Sequence, residues 1–512
     1  MHYRRAAFAA PGDDERVTLR RSPALAGVLA TGAGLATTEL LAGLLRVRAS
    51  PVVAIGETVI AITPGSIAHR IISVVGHADK PLAVTSVVIA ILLLGALIGS
   101  LWVVRKPLAL AGIVAMVVVA VLAVNSRPNT GTSVAILCIV GGIVTMAVLD
   151  WLIGRPEAAS TDDSRRAFLR NAAIVAGASV VVAGAGRWFG HARTAVEHAR
   201  AKLKLPITRL PTPAGVELDV TGIQPWRTAP ADFYRIDTAL TVPLIQQDDW
   251  KLRIHGMVDK ELTLTYQDLI DRGLEDAWVT IACVSNEVGG SLIGNTQWSG
   301  VPIKGILEEV GIKAGANALL SKSSDGWTAG TPLEVLTDGR NALLAVAMDG
   351  KPLPIEHGFP VRQVVPGLYG YVSATKWVTD WEITNFDNFS AYWTDRGWSP
   401  LGPIKTESRI DVPSGKVKAG TVKVAGSAWA QHRGISLVEV RVDGGAWEEA
   451  TLAKVPNIDT WVQWVYDWDA KHGDHTLEVR ATDSTGTPQT SVRVDVIPDG
   501  ATGYDGRTVT VV

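Results

Sequence analysis

The stretch WVTIACVSNEVGGSLIGNTQWSGVPIKGIL, residues 278–307, decides how the rest of the chain is read. Its β-branched start, Val279-Thr280-Ile281, predicts a strand that delivers Cys283 at its end. Ser285-Asn286, the pair Gly289-Gly290 and Gly294-Asn295 then supply turn-tolerant positions, where backbone amides can approach a bound group closely. Trp298-Ser299-Gly300 is expected to close this loop before a helical run from Ile303 to Val310. Cys283 is one of only two cysteines; the other, Cys138, lies in an apolar run. By residue type alone, a lone thiol is a small buried hydrophobe. At a strand end before an amide-rich loop it can instead be a nucleophile or a soft metal ligand. No zinc-type Cys/His cluster occurs, so a metal held here needs a cofactor that brings most of its ligands.

Other blocks gather polar residues in the same half. Asp232-Phe233-Tyr234-Arg235-Ile236-Asp237-Thr238 precedes a strand-like alternation from Trp250 to Gly256. Asp325-Gly326-Trp327 reads as an Asp-Gly turn. The densest block is AVAMDGKPLPIEHGFPVRQVVPGLYGYVSATKW, residues 345–377, where Arg362 offers a planar fork of donors suited to phosphate or an oxyanion. Taken singly, each of these polar residues is a surface charge or a turn. Taken with the cysteine stretch, they resemble the sulfite oxidase family of molybdopterin-dependent oxidoreductases over roughly residues 215–512.

That resemblance implies an α+β, sulfite-oxidase-like molybdopterin domain over 215–403, with Cys283 as the protein's sulfur ligand to molybdenum. It implies cofactor contacts from Tyr234, Asp237, Thr238, Asn286, Asp325, His357, Arg362, Ala374, Thr375 and Lys376, with His357 and Arg362 also facing the substrate. The implied chemistry is oxygen-atom transfer at molybdenum, with electrons exchanged one at a time. No haem or iron–sulfur motif is present in the chain, so an external one-electron carrier is expected. Two departures bear on the substrate. Sulfite oxidases carry Arg-Asn-His where this chain has Arg235-Ile236-Asp237-Thr238, and a tyrosine where it has Asp395-Arg396-Gly397-Trp398-Ser399-Pro400. A pocket lacking those donors holds sulfite poorly. Phe233-Tyr234 is more similar to the bacterial periplasmic protein-methionine-sulfoxide reductases of the family, so an S- or N-oxide is favoured over sulfite.

The first half is of another kind. Residues 1–22 form a tail with five arginines, which reads as cytoplasmic. Apolar runs at 24–45, 82–104, 107–125 and 133–154 are long enough to cross a bilayer, and a fifth, shorter run covers 171–187. An α-helical transmembrane bundle over 23–187 with five spans is therefore expected. Arg105-Lys106 and the arginines at 155, 165, 166 and 170 should be cytoplasmic. That parity leaves 51–79, interrupted by Glu57, Pro64, His69 and Arg70, as a re-entrant or interfacial element. Ser164-Arg165-Arg166-Ala167-Phe168-Leu169 has the form of a twin-arginine export signal, a route for folded, cofactor-loaded domains. The expected location is thus a multi-pass protein of the cytoplasmic membrane, its catalytic domain on the extracytoplasmic side beyond a linker at 188–214. His69 and His77 fall in or beside the re-entrant segment and no span carries a histidine, which argues against a membrane haem.

Residues 404–512 are strand-rich, with segments expected at 421–425, 437–442, 461–468, 475–481 and 490–497. Their spacing suggests an all-β immunoglobulin-like sandwich, and the resemblance implies a dimerisation role; membrane anchorage equally favours a monomer. A net charge of −2 gives no field for nucleic acid, and two cysteines exclude a disulfide framework. A non-enzymatic receptor would leave the Cys283 and His357–Arg362 blocks without purpose. A transporter would rest on Glu57, His69 and Arg70.

Overall fold

The computed structural model describes residues 23–45, 50–64, 79–126, 132–153, 170–181 and 192–512, with isolated positions at 47, 67 and 71. The chain divides into two compact units. The first is helical: α1 (Pro23–Leu44), α2 (Pro51–Ile62) as far as Thr58, the rest of α2 falling in the second unit, α3 (Asp79–Val104), α4 (Lys106–Asn125), α5 (Thr132–Ile153) and α6 (Arg170–Val181). Four of these, α1, α3, α4 and α5, are long and apolar enough to cross a membrane and coincide with the first four expected spans. α1 packs on α3 and α5 through small residues. A Cβ on Gly27 would run into the Gly95 carbonyl, and one on Gly34 would meet the Gly141 carbonyl at 2.6 Å. α2 is an apolar helix of 12 residues, at the start of the segment read as re-entrant. Where the fifth span is expected the described residues form only α6, an apolar helix of 12 residues that is not long enough to count with the other four. The tail, the twin-arginine motif, His69, His77 and residues 182–187 lie outside the described residues.

The second unit begins with α7 (Ala192–Lys202) and a long extended segment. It continues through β1 (Lys251–Gly256), β2 (Leu262–Thr265), α8 (Tyr266–Ile270), β3 (Glu275–Ala282), β4 (Ile293–Pro302), α9 (Ile303–Val310), β5 (Ala318–Ser323) and β6 (Thr328–Pro332). Then come α10 (Glu334–Thr337), β7 (Leu343–Met348), β8 (Lys351–Pro352), β9 (Arg362–Val364), α11 (Gly370–Ser373) and β10 (Val378–Thr384). One sheet runs β3-β4-β7-β8, with β9 also on β7; the other runs β2-β1-β10-β5-β6. The helix expected from Ile303 to Val310 is α9, which buries Ile303, Ile306, Leu307 and Val310 at helical spacing.

One expectation here is corrected. Trp298-Ser299-Gly300 does not close a loop but lies inside β4, as do Gly294 and Asn295. The glycines serve close packing rather than turns. A Cβ on Gly294 would lie 2.7 Å from the Phe233 ring, and one on Gly300 would run into the Leu344 carbonyl of β7.

Residues beyond 404 form β11 (Glu407–Val412), β12 (Gly415–Val417), β13 (Gly420–Trp429), β14 (Ile435–Val442), β15 (Glu448–Glu449), β16 (Thr451–Leu452), β17 (Val462–Ala470), β18 (Gly473–Asp483) and β19 (Asp505–Val511). They make two sheets, β11-β13-β17-β16 and β12-β19-β18-β14-β15, around a shared core that includes Val424, Trp464, Val438 and Val479. The strand expected at 490–497 is absent. Only the single bridge between Val494 and Thr502 forms there, and Val492 and Val494 are 63% and 44% exposed. The alternating valines have no facing sheet, and the strand that closes the sheet is β19, whose charged residues at 505 and 507 masked it.

The two halves of this unit are joined by tryptophan. The Trp226 indole donates to the Trp461 carbonyl at 3.2 Å, and the Trp461 indole donates back to the Trp226 carbonyl at 2.9 Å. Both rings are fully buried. Trp461→Ala removes one of these bonds and leaves a large cavity, so a loss of about 3–5 kcal/mol is expected, read from thermal or denaturant unfolding. Glu407, buried nearby on β11, has its carboxyl pushed by burial from 4.5 up to about 8. Between those values the folded protein holds a proton that the unfolded chain has released, so this group lowers stability as pH rises from 4.5 to about 8. Unfolding temperature against pH should lose that slope in Glu407→Gln.

Candidate active site

β3 does deliver Cys283 at its end, with the Cys283 amide donating to the Leu292 carbonyl at 2.9 Å. The thiol lines a pocket enclosing about 850 Å³, part of it open to solvent. Around it stand Tyr234, Asp237, Thr238, Asp325, His357, Arg362, Ala374 and Lys376, which are all expected site residues. Segments more than a hundred residues apart thus meet at one sulfur. Burial pushes the Cys283 thiol up, while hydrogen bonds from Ser285 and Val284 and the charge of Lys376 pull it down.

The electrostatics are those of an anion site. The Arg362 guanidinium is buried and forms no ion pair among the described residues. It donates only to the carbonyls of His357, Gln363 and Ala374, at 3.2, 3.4 and 3.4 Å, and lies 4.9 Å over the Trp298 ring. Burial lowers its pKa to about 10. The Lys376 ammonium reaches Asp237 at 2.8 Å and the Glu356 carbonyl at 3.1 Å, and burial lowers it to about 8 against the pull of Asp237. Trp377, the next residue, has φ of 52°, a strained conformation for a bulky side chain, and its indole is tied to the Ile355 carbonyl at 2.9 Å.

His357 packs edge-on to Phe233, with ring centroids 5.8 Å apart, and its Nε2 lies 3.0 Å from the Pro230 carbonyl. A carbonyl partner assigns the proton to Nε2 and leaves Nδ1 as an acceptor. Burial, with Arg362 and Lys376 nearby, lowers His357 to about 4, so it is neutral at pH 7. Tyr234 stacks on Phe233 at 5.3 Å, and burial raises its phenol so that it stays protonated.

Some expected residues are placed differently. Asn286 is buried behind the pocket, accepting from the Leu292 amide at 2.7 Å, with its Nδ2 lacking a partner. The Thr375 hydroxyl is spent on Ser321 at 2.5 Å. Neither lines the pocket. Asp237 does, but its carboxylate is held by Lys376 and Arg235. Asp325 also does, and it makes the local turn, accepting from the Trp327 amide at 3.1 Å. Sequence reasoning passed over Tyr371, Trp393 and Trp398 as wall residues. The signal for two of them was an aromatic on each side of the Asp395-Arg396-Gly397 turn.

Among the described residues no group of three or more His, Cys, Asp or Glu could hold a metal. A metal on Cys283 must therefore bring its other donors with it. The acid-free guanidinium of Arg362 and the ammonium of Lys376, both lining the pocket, fit an anionic group such as a pterin phosphate.

Comparisons with known proteins bear on the same half of the chain. Residues 239–393 match the oxidoreductase molybdopterin binding domain. The uncharacterized oxidoreductase YuiH of Bacillus subtilis is 34% identical over 153 residues, 30% of this chain and 74% of that protein. The mitochondrial sulfite oxidase of Rattus norvegicus is 30% identical over 258 residues, 42% of this chain and 47% of that protein. The match thus spans about half the length of that relative. A crystal structure of the sulfane dehydrogenase SoxCD from Paracoccus pantotrophus aligns with 62% of this chain and 92% of its own, at 22% identity and a TM-score of 0.49.

The second unit is that of a molybdenum-dependent oxidoreductase. The chain belongs to the sulfite oxidase family of molybdopterin-dependent oxidoreductases.

An uncompensated buried cation costs stability until an anion meets it. Arg362→Met is therefore expected to stabilise the cofactor-free protein by about 1–4 kcal/mol while sharply lowering the pterin recovered with it. Unfolding curves of cofactor-free protein and fluorescence of released, oxidised pterin check the two halves.

Proposed function

We propose that this chain is a membrane-anchored enzyme that transfers an oxygen atom to or from a small substrate outside the cytoplasmic membrane, with an S- or N-oxide as the favoured substrate. The observation that carries this reading is the convergence of Cys283 with the buried Arg362 and Lys376 in one pocket. When bound, the molybdenum cofactor supplies two-electron oxygen-atom chemistry.

The residues divide the remaining work. The Cys283 sulfur would hold the metal as a thiolate. Arg362 and Lys376 hold the anionic end of the cofactor. Neutral His357 accepts a hydrogen bond at Nδ1 rather than acting as a third cation. The Tyr234 hydroxyl, kept protonated by burial, is a donor for an oxygen close to Cys283. Electrons pass singly to or from an external carrier. Helices α1, α3, α4, α5 and the segment of α6 act as the anchor. The two C-terminal sheets support an immunoglobulin-like sandwich that pairs two copies of the chain.

Sulfite oxidation is the second reading. It is favoured by the identity to a mitochondrial sulfite oxidase and by the acid-free guanidinium of Arg362. Against it stand the aliphatic Ile236 and the absence of a tyrosine in the 395–400 turn. Full-length protein made alongside a working cofactor pathway should contain molybdenum and pterin close to one per chain, and Cys283→Ala should reduce the molybdenum to background. Retention of the full metal load in Cys283→Ala sinks the proposal. Oxidation of sulfite in preference to reduction of any S- or N-oxide installs the second reading.

A further inference from the structure

The turn Ile355–His357 gives each of its backbone carbonyls to a side chain of the site. The Trp377 indole donates to Ile355 at 2.9 Å, the Lys376 ammonium to Glu356 at 3.1 Å, and the Arg362 guanidinium to His357 at 3.2 Å. Gly358 closes the turn at φ 109°, where a Cβ would lie 2.9 Å from the Arg362 Cβ and 3.3 Å from the Lys376 backbone. Any shift of this turn therefore moves acceptors of both pocket cations. His357 lines the pocket, but Glu356 does not, and its carboxylate pairs with Arg193 of α7.

α7 lies in the stretch expected to be a linker, and it is fastened to the segment that leads into this turn. Arg193, Val196 and Arg200 recur at helical spacing and share one face. Val196 is buried in the apolar cluster that contains Phe233, Leu353, Ile355 and Phe359. Arg200 donates to the Leu353 carbonyl at 2.7 Å and to the Pro352 carbonyl at 3.1 Å. Glu197 stands between the two arginines, 3.6 Å from Arg193 and 3.4 Å from Arg200. Ordering two long side chains on one short piece of backbone costs entropy, which a slack tether would have no reason to lose. No residue of α7 lines the pocket.

We infer that Arg193 and Arg200 are positioning residues: α7 clamps residues 352–357 from outside the pocket and so holds the carbonyls that orient Arg362 and Lys376 toward the anionic end of the cofactor. The inference rests on the reading of this pocket as the cofactor site. The clamp acts on how long the cofactor stays, because it reaches the site only through the turn.

The test uses full-length, cofactor-loaded protein in detergent, held below its unfolding temperature, with loss of pterin followed by fluorescence of the released, oxidised pterin. Arg200→Ala, which removes two charge-assisted hydrogen bonds, should speed release about tenfold. Arg193→Ala, which breaks a half-exposed ion pair, should speed it about threefold and leave the unfolding temperature of cofactor-free protein unchanged. Arg193→Glu should speed release further, and combining it with Glu356→Arg should return the rate to within about twofold of wild type. Should Arg200→Ala fail to fold, the Arg193 series decides alone. A wild-type release rate in either alanine variant overturns the inference, as does faster release that only follows a lower unfolding temperature without rescue by the exchanged pair. Wild-type protein that carries no pterin brings down the cofactor reading itself, and this inference with it.

Discussion

Strand β3 carries the cysteine on the edge of its sheet, and that edge is covered from far along the chain. The Thr280 amide donates to the Asp459 carbonyl at 2.9 Å, and the Thr280 hydroxyl accepts from the Trp461 amide at 2.8 Å. The Trp278 carbonyl accepts from the Asn457 side chain at 3.1 Å, and the Thr280 carbonyl from Gln431 at 3.2 Å. An uncovered edge would present these groups to water or to another chain. The C-terminal sheets are therefore part of the site, although none of their residues lines the pocket. They hold still the strand from which Cys283 projects. Because the partners lie 151 to 181 residues downstream, nearly the whole second unit must be folded before the sulfur has a fixed position.

The same rigidity lets the pocket keep groups that would otherwise relax. Asp349, at φ 57°, holds Arg227 and Arg209 together, which pins the extended segment before residue 230 onto the end of β7. That segment runs on to Phe233 and Tyr234, and the Phe233 ring fills the space left by Gly294. Trp377 stays in its strained conformation because its indole and carbonyl are both bonded, the carbonyl to the Ser324 amide at 2.9 Å. One of the unfavourable local conformations, that of Trp377, therefore sits directly beside Lys376.

Much of this was legible in the sequence, for identifiable reasons. Long uncharged runs favour apolar helices, so the four helices long enough to cross a membrane could be placed within about two residues. Cys283 after a β-branched run, and the Arg362 block, stood out because their residue types are costly unless used. Glycine was harder. Gly294 and Gly300 look like turn residues but are strand positions where a ring or another backbone comes too close for a side chain, a long-range fact. The valines at 492, 494 and 496 carry the period of a strand without a sheet to receive it, because pairing depends on partners that periodicity does not name. Trp393 and Trp398 flank a turn in the sequence, but their place in the wall is a long-range fact too: only the fold brings residues 371, 393 and 398 beside 283.

The arrangement of charge also bears on how the enzyme is kept loaded. Of the two carboxylates lining the pocket, Asp237 is shared by Lys376 and Arg235, Asp325 accepts from its own turn, and neither pairs with Arg362. An anionic cofactor removes that imbalance in the folded state and has no comparable site in the unfolded chain. Binding and stability are then linked, and a ligand at a hundred times its dissociation constant adds about 2.7 kcal/mol. The gain is available only once β3 is braced, since Cys283 and the cations belong to segments that the C-terminal sheets bring into register. Loading therefore follows folding of the second unit, and the loaded unit resists unfolding more than the empty one.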